Sequence, residues 1–180
     1  MKRFILTGTP GSGKTAILRQ LEGEGYGVVE EAATDVIALE QAKGIAEPWT
    51  RPVFIDQVVA LQARRRVRLT DPLQFHDRSA FCTAALADYL GYSPSEMLTA
   101  ELERLKREAF YEKRAFFVQS LGFVTPSAAR RISLEEARRF EAVHEKTYRL
   151  QGFELIPISP GSVLDRVAAI QGVVDERRAG

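Results

Sequence analysis

Residues 2–21 read KRFILTGTPGSGKTAILRQL. The first six form a short apolar-rich run that stops at glycine, and from residue 14 onward Ile17, Leu18 and Leu21 fall at helical spacing. The stretch reads strand, loop, helix. Its loop, GTPGSGKT at 8–15, matches G-x-x-x-x-G-K-[ST] at Gly8, Gly13, Lys14 and Thr15. In a chain of this length the pattern arises by chance on the order of once in a hundred or less, and its place between a strand and a helix makes accident rarer still. Glycine backbone can wrap closely around a phosphate, while loop amides and a helix N-terminus turn positive dipole ends towards it. The expected cradle is Gly8, Thr9, Pro10, Gly11, Ser12, Gly13, Lys14 and Thr15. Lys14 would reach the β- and γ-phosphates as a mobile charge, and the Thr15 hydroxyl would ligate Mg²⁺.

Outward from this loop, strands and helices alternate. YGVV at 26–29 is a second strand, and EEAATDVIALEQAKG at 30–44 is a helix stopped by Gly44. The two prolines of EPWTRP at 47–52 mark a connection. Residues 53–69 carry Phe54, Ile55, Val58, Val59 and Leu61 on one side and read as a long helix with a basic end, RRRVR. LQFHD at 73–77 is strand three, although Gln74 and His76 interrupt its apolar pattern, and a helix follows through FCTAALADYL. Ser93-Pro94-Ser95-Glu96 reads as a capping box with proline at the first helical position, opening a helix to about Tyr111. AFFVQ at 115–119 is strand four. A glycine-, proline- and serine-bearing loop leads to a second capping box, Ser133-Leu134-Glu135-Glu136, and a helix to about Leu150. FELIPI at 153–158 is strand five, and Ser162 and Asp165 start the last helix. Parallel neighbours need long crossovers, so five strands separated by helices predict a three-layer α/β/α fold with a parallel sheet covered on both faces.

The bulk numbers agree with one such domain. A chain of 180 residues can bury a single sizeable core. Its 25 Lys+Arg and 24 Asp+Glu nearly cancel, which gives no basic field for sequence-specific nucleic-acid binding. Cys82 is the single cysteine, and an apolar helical pattern around it reads as core. No stretch approaches the roughly 18 apolar residues of a membrane span, so a cytoplasmic protein without a membrane span is expected. His76 and His144 are isolated, and RRRVR at 64–68 reads as a solvated helix end favoured by the dipole. Trp49 and Phe54 read as core residues.

Four places supply charge where a phosphate loop needs it. Asp77 closes strand three, and ligands of open α/β sheets gather at the carboxyl ends of strands; it is the candidate metal-shell carboxylate, or else a strand-end turn or helix cap. Arg78 follows it and can neutralise charge on a phosphate or substrate, or stand in a surface ion pair. Glu30 and Glu31 end strand two, where one of them could take the proton of an acceptor hydroxyl, or where both could simply complement a helix dipole. Arg130 and Arg131, in a segment at about 120–133 that would act as a lid, could stabilise charge in transfer or stand as solvated arginines.

These residues resemble the P-loop family of AAA-type ATPases related to the nicotinamide riboside kinase domain of NadR regulators. The similarity spans nearly the whole chain: FILTGTPGSGKTAILRQLEGEGYGVVEEAA at 4–33, HDRS at 76–79, RRISLEEARR at 130–139 and YRLQGFELIPISPGSVLDRVAAI at 148–170. The strand-two EEAA and the ending with Pro157, Ser162 and Arg166 are the specific parts. The resemblance implies a nucleoside-kinase-like sheet of order 2-3-1-4-5 with ATP or GTP plus Mg²⁺ at the P-loop. It further implies base contacts from residues 157–162, Arg130 and Arg131 at the lid, and Asp77 and Arg78 as an acidic–basic pair. One departure is Thr34, where members often carry arginine after EEAA. Two functions fit: a kinase using Lys14, Glu31, Asp77, Arg78 and Arg131 on a small hydroxyl-bearing acceptor, or a nucleotide-dependent switch with slow hydrolysis and a protein or lipid partner.

Overall fold

A computed structural model describes residues 1–8, 10–67, 70–120 and 134–175. The elements in chain order are β1 (Lys2–Gly8), α1 (Lys14–Gly23), β2 (Gly27–Val29), α2 (Ala33–Ala42), α3 (Val53–Arg66), β3 (Leu73–Asp77), α4 (Ala80–Tyr89), α5 (Glu96–Arg107), β4 (Arg114–Val118), α6 (Leu134–Leu150), β5 (Glu154–Ile158) and α7 (Val163–Asp175). The five strands make one parallel sheet of order β2-β3-β1-β4-β5, as expected. The two-proline connection holds a single 3-10 turn at Pro48–Thr50.

Successive strand residues face opposite sides, and the sheet divides its apolar residues accordingly. Phe4 and Leu6 of β1, Phe75, Phe116 and Val118 pack with Ile17, Leu18 and Leu21 of α1 and with Val167, Ile170 and Val174 of α7. Ile5 and Ala115 face the other layer, built from Phe54, Ile55, Val58 and Val59 of α3, Phe81 of α4, Leu98 of α5 and Tyr148 of α6. At roughly 1.5–3 kcal/mol for each large side chain fully buried, both faces contribute strongly.

Three local readings are corrected. The polar residues of β3 do not weaken it: Gln74 and His76 are buried, and His76 bonds Gln74 Oε1 through Nε2 and the Tyr111 hydroxyl through Nδ1, each at 3.3 Å. Burial first, with Arg3 and Arg66 nearby, depresses its pKa to about 3, so it is a neutral spacer. The cap of α5 is Ser95, whose Oγ accepts from Leu98 N at 3.1 Å; with leucine three residues on, this is a plain serine cap and not a capping box, and Pro94 lies outside the helix. The same helix ends at Arg107 because Ala109 turns left-handed (φ 44°), with Phe110 N bonded to Leu105 O and Ala109 N to Lys106 O. Thr9, the Ser133 cap and the segment 121–133 with Arg130 and Arg131 lie outside the described residues. No helix among the described residues is long and apolar enough to cross a membrane.

Candidate active site

Helix α1 opens without a side-chain cap: its N-cap is Gly13, left-handed at φ 86°. The first amides of a helix lack intrahelical acceptors, and here they border a cavity of about 320 Å³ lined on one side by Pro10, Gly11, Gly13, Lys14 and Thr15. An anion suits this wall. Lys14 is buried and folds back on its own loop, donating from Nζ to Gly8 O at 3.1 Å and Ser12 Oγ at 3.2 Å. Its pKa falls to about 7, because burial penalises the ammonium and the Arg78 charge repels it, against the pull of Asp77 and Glu31.

The opposite wall is Glu31, Thr34, Asp77 and Arg78. Strand register puts Asp77 beside Leu6, at the end of β1. Thr15 and Asp77 thus share one cavity, a hydroxyl and a carboxylate facing the phosphate loop. Among the described residues no group of three or more His, Cys, Asp or Glu is placed to hold a metal ion by itself. Such a donor set fits a hard cation held by one or two protein oxygens together with phosphate oxygens, the coordination that Mg²⁺ commonly takes.

Arg78 is the hub of the wall. It takes a left-handed backbone (φ 68°) and donates its N–H to Leu6 O at 3.0 Å. Its Nε meets Glu31 Oε1 at 2.8 Å and its Nη1 meets His144 Nε2 at 3.3 Å. His144 Nδ1 lies 3.0 Å from the Phe140 carbonyl, which can only accept, so Nδ1 carries the proton and Nε2 accepts from Arg78. Burial, then the Arg78 charge, holds the His144 pKa well below its usual value, and the ring stays neutral. Burial alone would lower the Arg78 pKa, but Glu31, Cys82 and Asp77 raise it above its ordinary value. The other Glu31 oxygen, Oε2, accepts from Thr34 Oγ1 at 2.7 Å. Thr34 therefore orients the carboxylate.

The two acids that follow β2 differ in one respect. Both line an adjoining space with Thr15, Arg19, Asp35 and Asp77, but only Glu31 also lines the phosphate cavity, and Glu30 is exposed. Their backbone is fixed by the basic run: Arg65 donates to Glu30 O at 3.2 Å, to Glu31 O and to Asp35. Arg66 is buried, paired with Glu101 and stacked over Phe110 at 5.2 Å. The expected solvated helix end is thus confined to Arg64 and Val67 among the described residues.

A second cavity of about 100 Å³ abuts the first and shares Pro10, Glu31, Ala33 and Arg78 with it. Val58, Leu86 and Phe140 give it an apolar side; Gln62, Thr83 and His144 give it a polar one. Thr83 Oγ1 donates to Gln62 Oε1 at 3.1 Å, holding the amide against α4. Cys82 also lines it, buried and bonded to the Tyr148 hydroxyl at 2.9 Å.

An AAA-domain family (AAA_28) matches residues 3–166. The chain belongs to this family. The AAA domain described here has the fold of the NadR protein solved in complex with NAD and AMP-PNP, at a TM-score of 0.67 and 18% identity over 95% of this chain and 49% of that one. The chain therefore corresponds to about half the length of NadR. It also resembles deoxyadenosine kinase from M. mycoides, solved with products dCMP and a flexible dCDP, at a TM-score of 0.61 and 14% identity over 97% of this chain and 99% of that one. No curated protein matches the chain.

In this AAA domain the sheet brings Gly8, Pro10, Gly11, Ser12, Gly13, Lys14, Thr15, Glu31, Asp77 and Arg78 to one end. Pro157 stands apart: it is exposed in edge strand β5, paired with Phe117, and lines none of these cavities. His144, Gln62, Thr34 and Arg166, which holds Ser12 O at 2.8 Å, were not singled out as site residues from the sequence. A signal existed for His144: Phe140, His144 and Tyr148 recur every fourth residue on the buried face of α6.

Proposed function

We propose that the protein is a Mg²⁺-dependent kinase that binds ATP or GTP and transfers the γ-phosphoryl group to a hydroxyl of a small metabolite, a nucleoside or cofactor precursor. The observation that carries this reading is the second cavity, which meets the phosphate cavity at Glu31 and Arg78. A chamber there gives an acceptor group a place beside Glu31. The AMP-PNP in the NadR structure and the nucleotides in deoxyadenosine kinase support a nucleotide at the loop.

In this reading the amides at the start of α1 and Lys14 take the phosphates. Thr15 and Asp77 would hold Mg²⁺, which when bound neutralises charge on the β- and γ-oxygens. Glu31, fixed by Arg78 and Thr34, accepts the proton of the acceptor hydroxyl. Arg78 balances negative charge between the two cavities. Arg130 and Arg131 are sequence-based candidates for stabilising the transferring group, and base contact by residues 157–162 rests on the family resemblance. The test is transfer of label from γ-labelled ATP or GTP to a panel of nucleosides and phosphorylated metabolites. Labelled product from one acceptor class is expected; nucleotide binding with no product from any class returns the reading to a regulatory switch.

Lys14 makes nucleotide binding depend on pH. With its pKa near 7, much of it is neutral in slightly alkaline solution, while a bound triphosphate favours the ammonium and raises the pKa. The favourable interaction is fully present below pH 7 and is lost as pH rises towards the bound-state pKa. Nucleotide Kd should therefore increase from pH 7 to 9, by up to about tenfold per unit, with proton uptake on binding seen calorimetrically in buffers of different ionisation enthalpy. A flat profile would mean that Lys14 is already charged before nucleotide arrives.

A further inference from the structure

Arg166 sits at the fourth position of α7, 4% exposed. Its surroundings are unfavourable to a cation. A positive charge near a helix N-terminus opposes the macrodipole. Among the described residues no carboxylate pairs with it and its buried Nε has no hydrogen-bond partner, and burial lowers its pKa. The other two buried cations of the region, Lys14 and Arg78, feel both Glu31 and Asp77. Among the described residues the Arg166 side chain makes one hydrogen bond, from Nη2 to the Ser12 carbonyl at 2.8 Å.

That carbonyl matters because the peptide unit is planar and trans. Fixing the Ser12 oxygen on the Arg166 side sends the Gly13 N–H to the opposite side, and Gly13 lines the phosphate cavity whereas Arg166 does not. A guanidinium on the oxygen also polarises the peptide and strengthens the N–H as a donor. We infer that Arg166 is a positioning residue for the nucleotide's phosphates: it aims the Gly13 amide into the cavity from behind the loop, and its buried charge is balanced when a di- or triphosphate occupies that cavity. The inference rests on the reading of the loop as a nucleotide site, and is independent of the acceptor and of transfer.

The test compares wild type with R166M and R166K by calorimetric titration with ADP and with AMP, and by melting without ligand. Wild type should bind ADP. R166M should weaken ADP by roughly ten- to hundredfold and AMP much less, R166K should recover part of the loss, and R166M without ligand should melt at or above the wild-type temperature, since an unbalanced buried charge has gone. Unchanged ADP affinity in R166M, or equal losses for ADP and AMP, overturns the inference while leaving the nucleotide site standing. Failure of wild type to bind ADP overturns both. Should R166M fail to fold, R166K carries the test: its shorter, non-planar head group should still cost severalfold in ADP affinity, and wild-type affinity in R166K would refute the role.

Discussion

Glu31→Gln should lower transfer turnover by about 10²–10⁴-fold while the Kd for ATP stays within about twofold of wild type. The separation follows from position. Glu31 stands on the wall opposite the loop, with Oε1 held by Arg78 at 2.8 Å and Oε2 by Thr34 at 2.7 Å. A carboxylate offers about four lone-pair sites, so these two bonds orient the group and leave acceptor capacity for a substrate hydroxyl. Glutamine keeps the shape but replaces one acceptor by an NH₂ donor. Whichever way the amide turns, a donor then faces either Arg78 or the Thr34 hydroxyl, and basicity is gone. Steady-state kinetics with whichever acceptor the labelling panel yields, together with ATP titration, make the check. A turnover within threefold of wild type would remove Glu31 from the chemistry and favour a switch, in which its pairing with Arg78 is structural.

The loop was legible because everything that defines it is local. A strand that stops at glycine, a motif of eight residues and a helix with apolar spacing fix the phosphate end without tertiary information, and the alternation of elements then leaves few topologies for the sheet. Asp77, Arg78 and Glu31 were legible one step further on, because a parallel sheet collects the carboxyl ends of its strands. What was not legible depends on pairs distant in the chain. His144 meets Arg78 across 66 residues and Arg166 meets Ser12 across 154; periodicity can mark His144 as buried, but it does not name either partner. Arg65 is the instructive case: within RRRVR it is one of four arginines of equal appearance, yet α3 directs it to the carbonyls of Glu30 and Glu31. The end of α5 was hidden for a different reason, since its left-handed cap is Ala109 and alanine at that position gives no signal.

Gly8→Ala should destabilise the fold by about 3–5 kcal/mol, lowering the melting temperature by about 10 °C or more. Gly8 has φ +124°, a conformation closed to L side chains without strain, and a Cβ there would lie 2.3 Å from Val118 O and 3.1 Å from Val118 C and N. These are backbone atoms of the neighbouring strand, in register with Gly8 in the middle of the sheet, so no rotamer change can relieve the clash. The separation of β1 from β4 has to grow, and the Gly8 carbonyl that seats Lys14 Nζ moves with it. Nucleotide affinity should fall in the same variant. Gly25→Ala is the matched control: its φ is +90° but nothing lies within 4 Å of an added Cβ, so only backbone strain of about 1–2 kcal/mol is expected. Urea midpoints at unchanged slope measure both. Equal losses at the two positions would mean that left-handed strain alone accounts for Gly8 and that β1 and β4 can part to admit a methyl group.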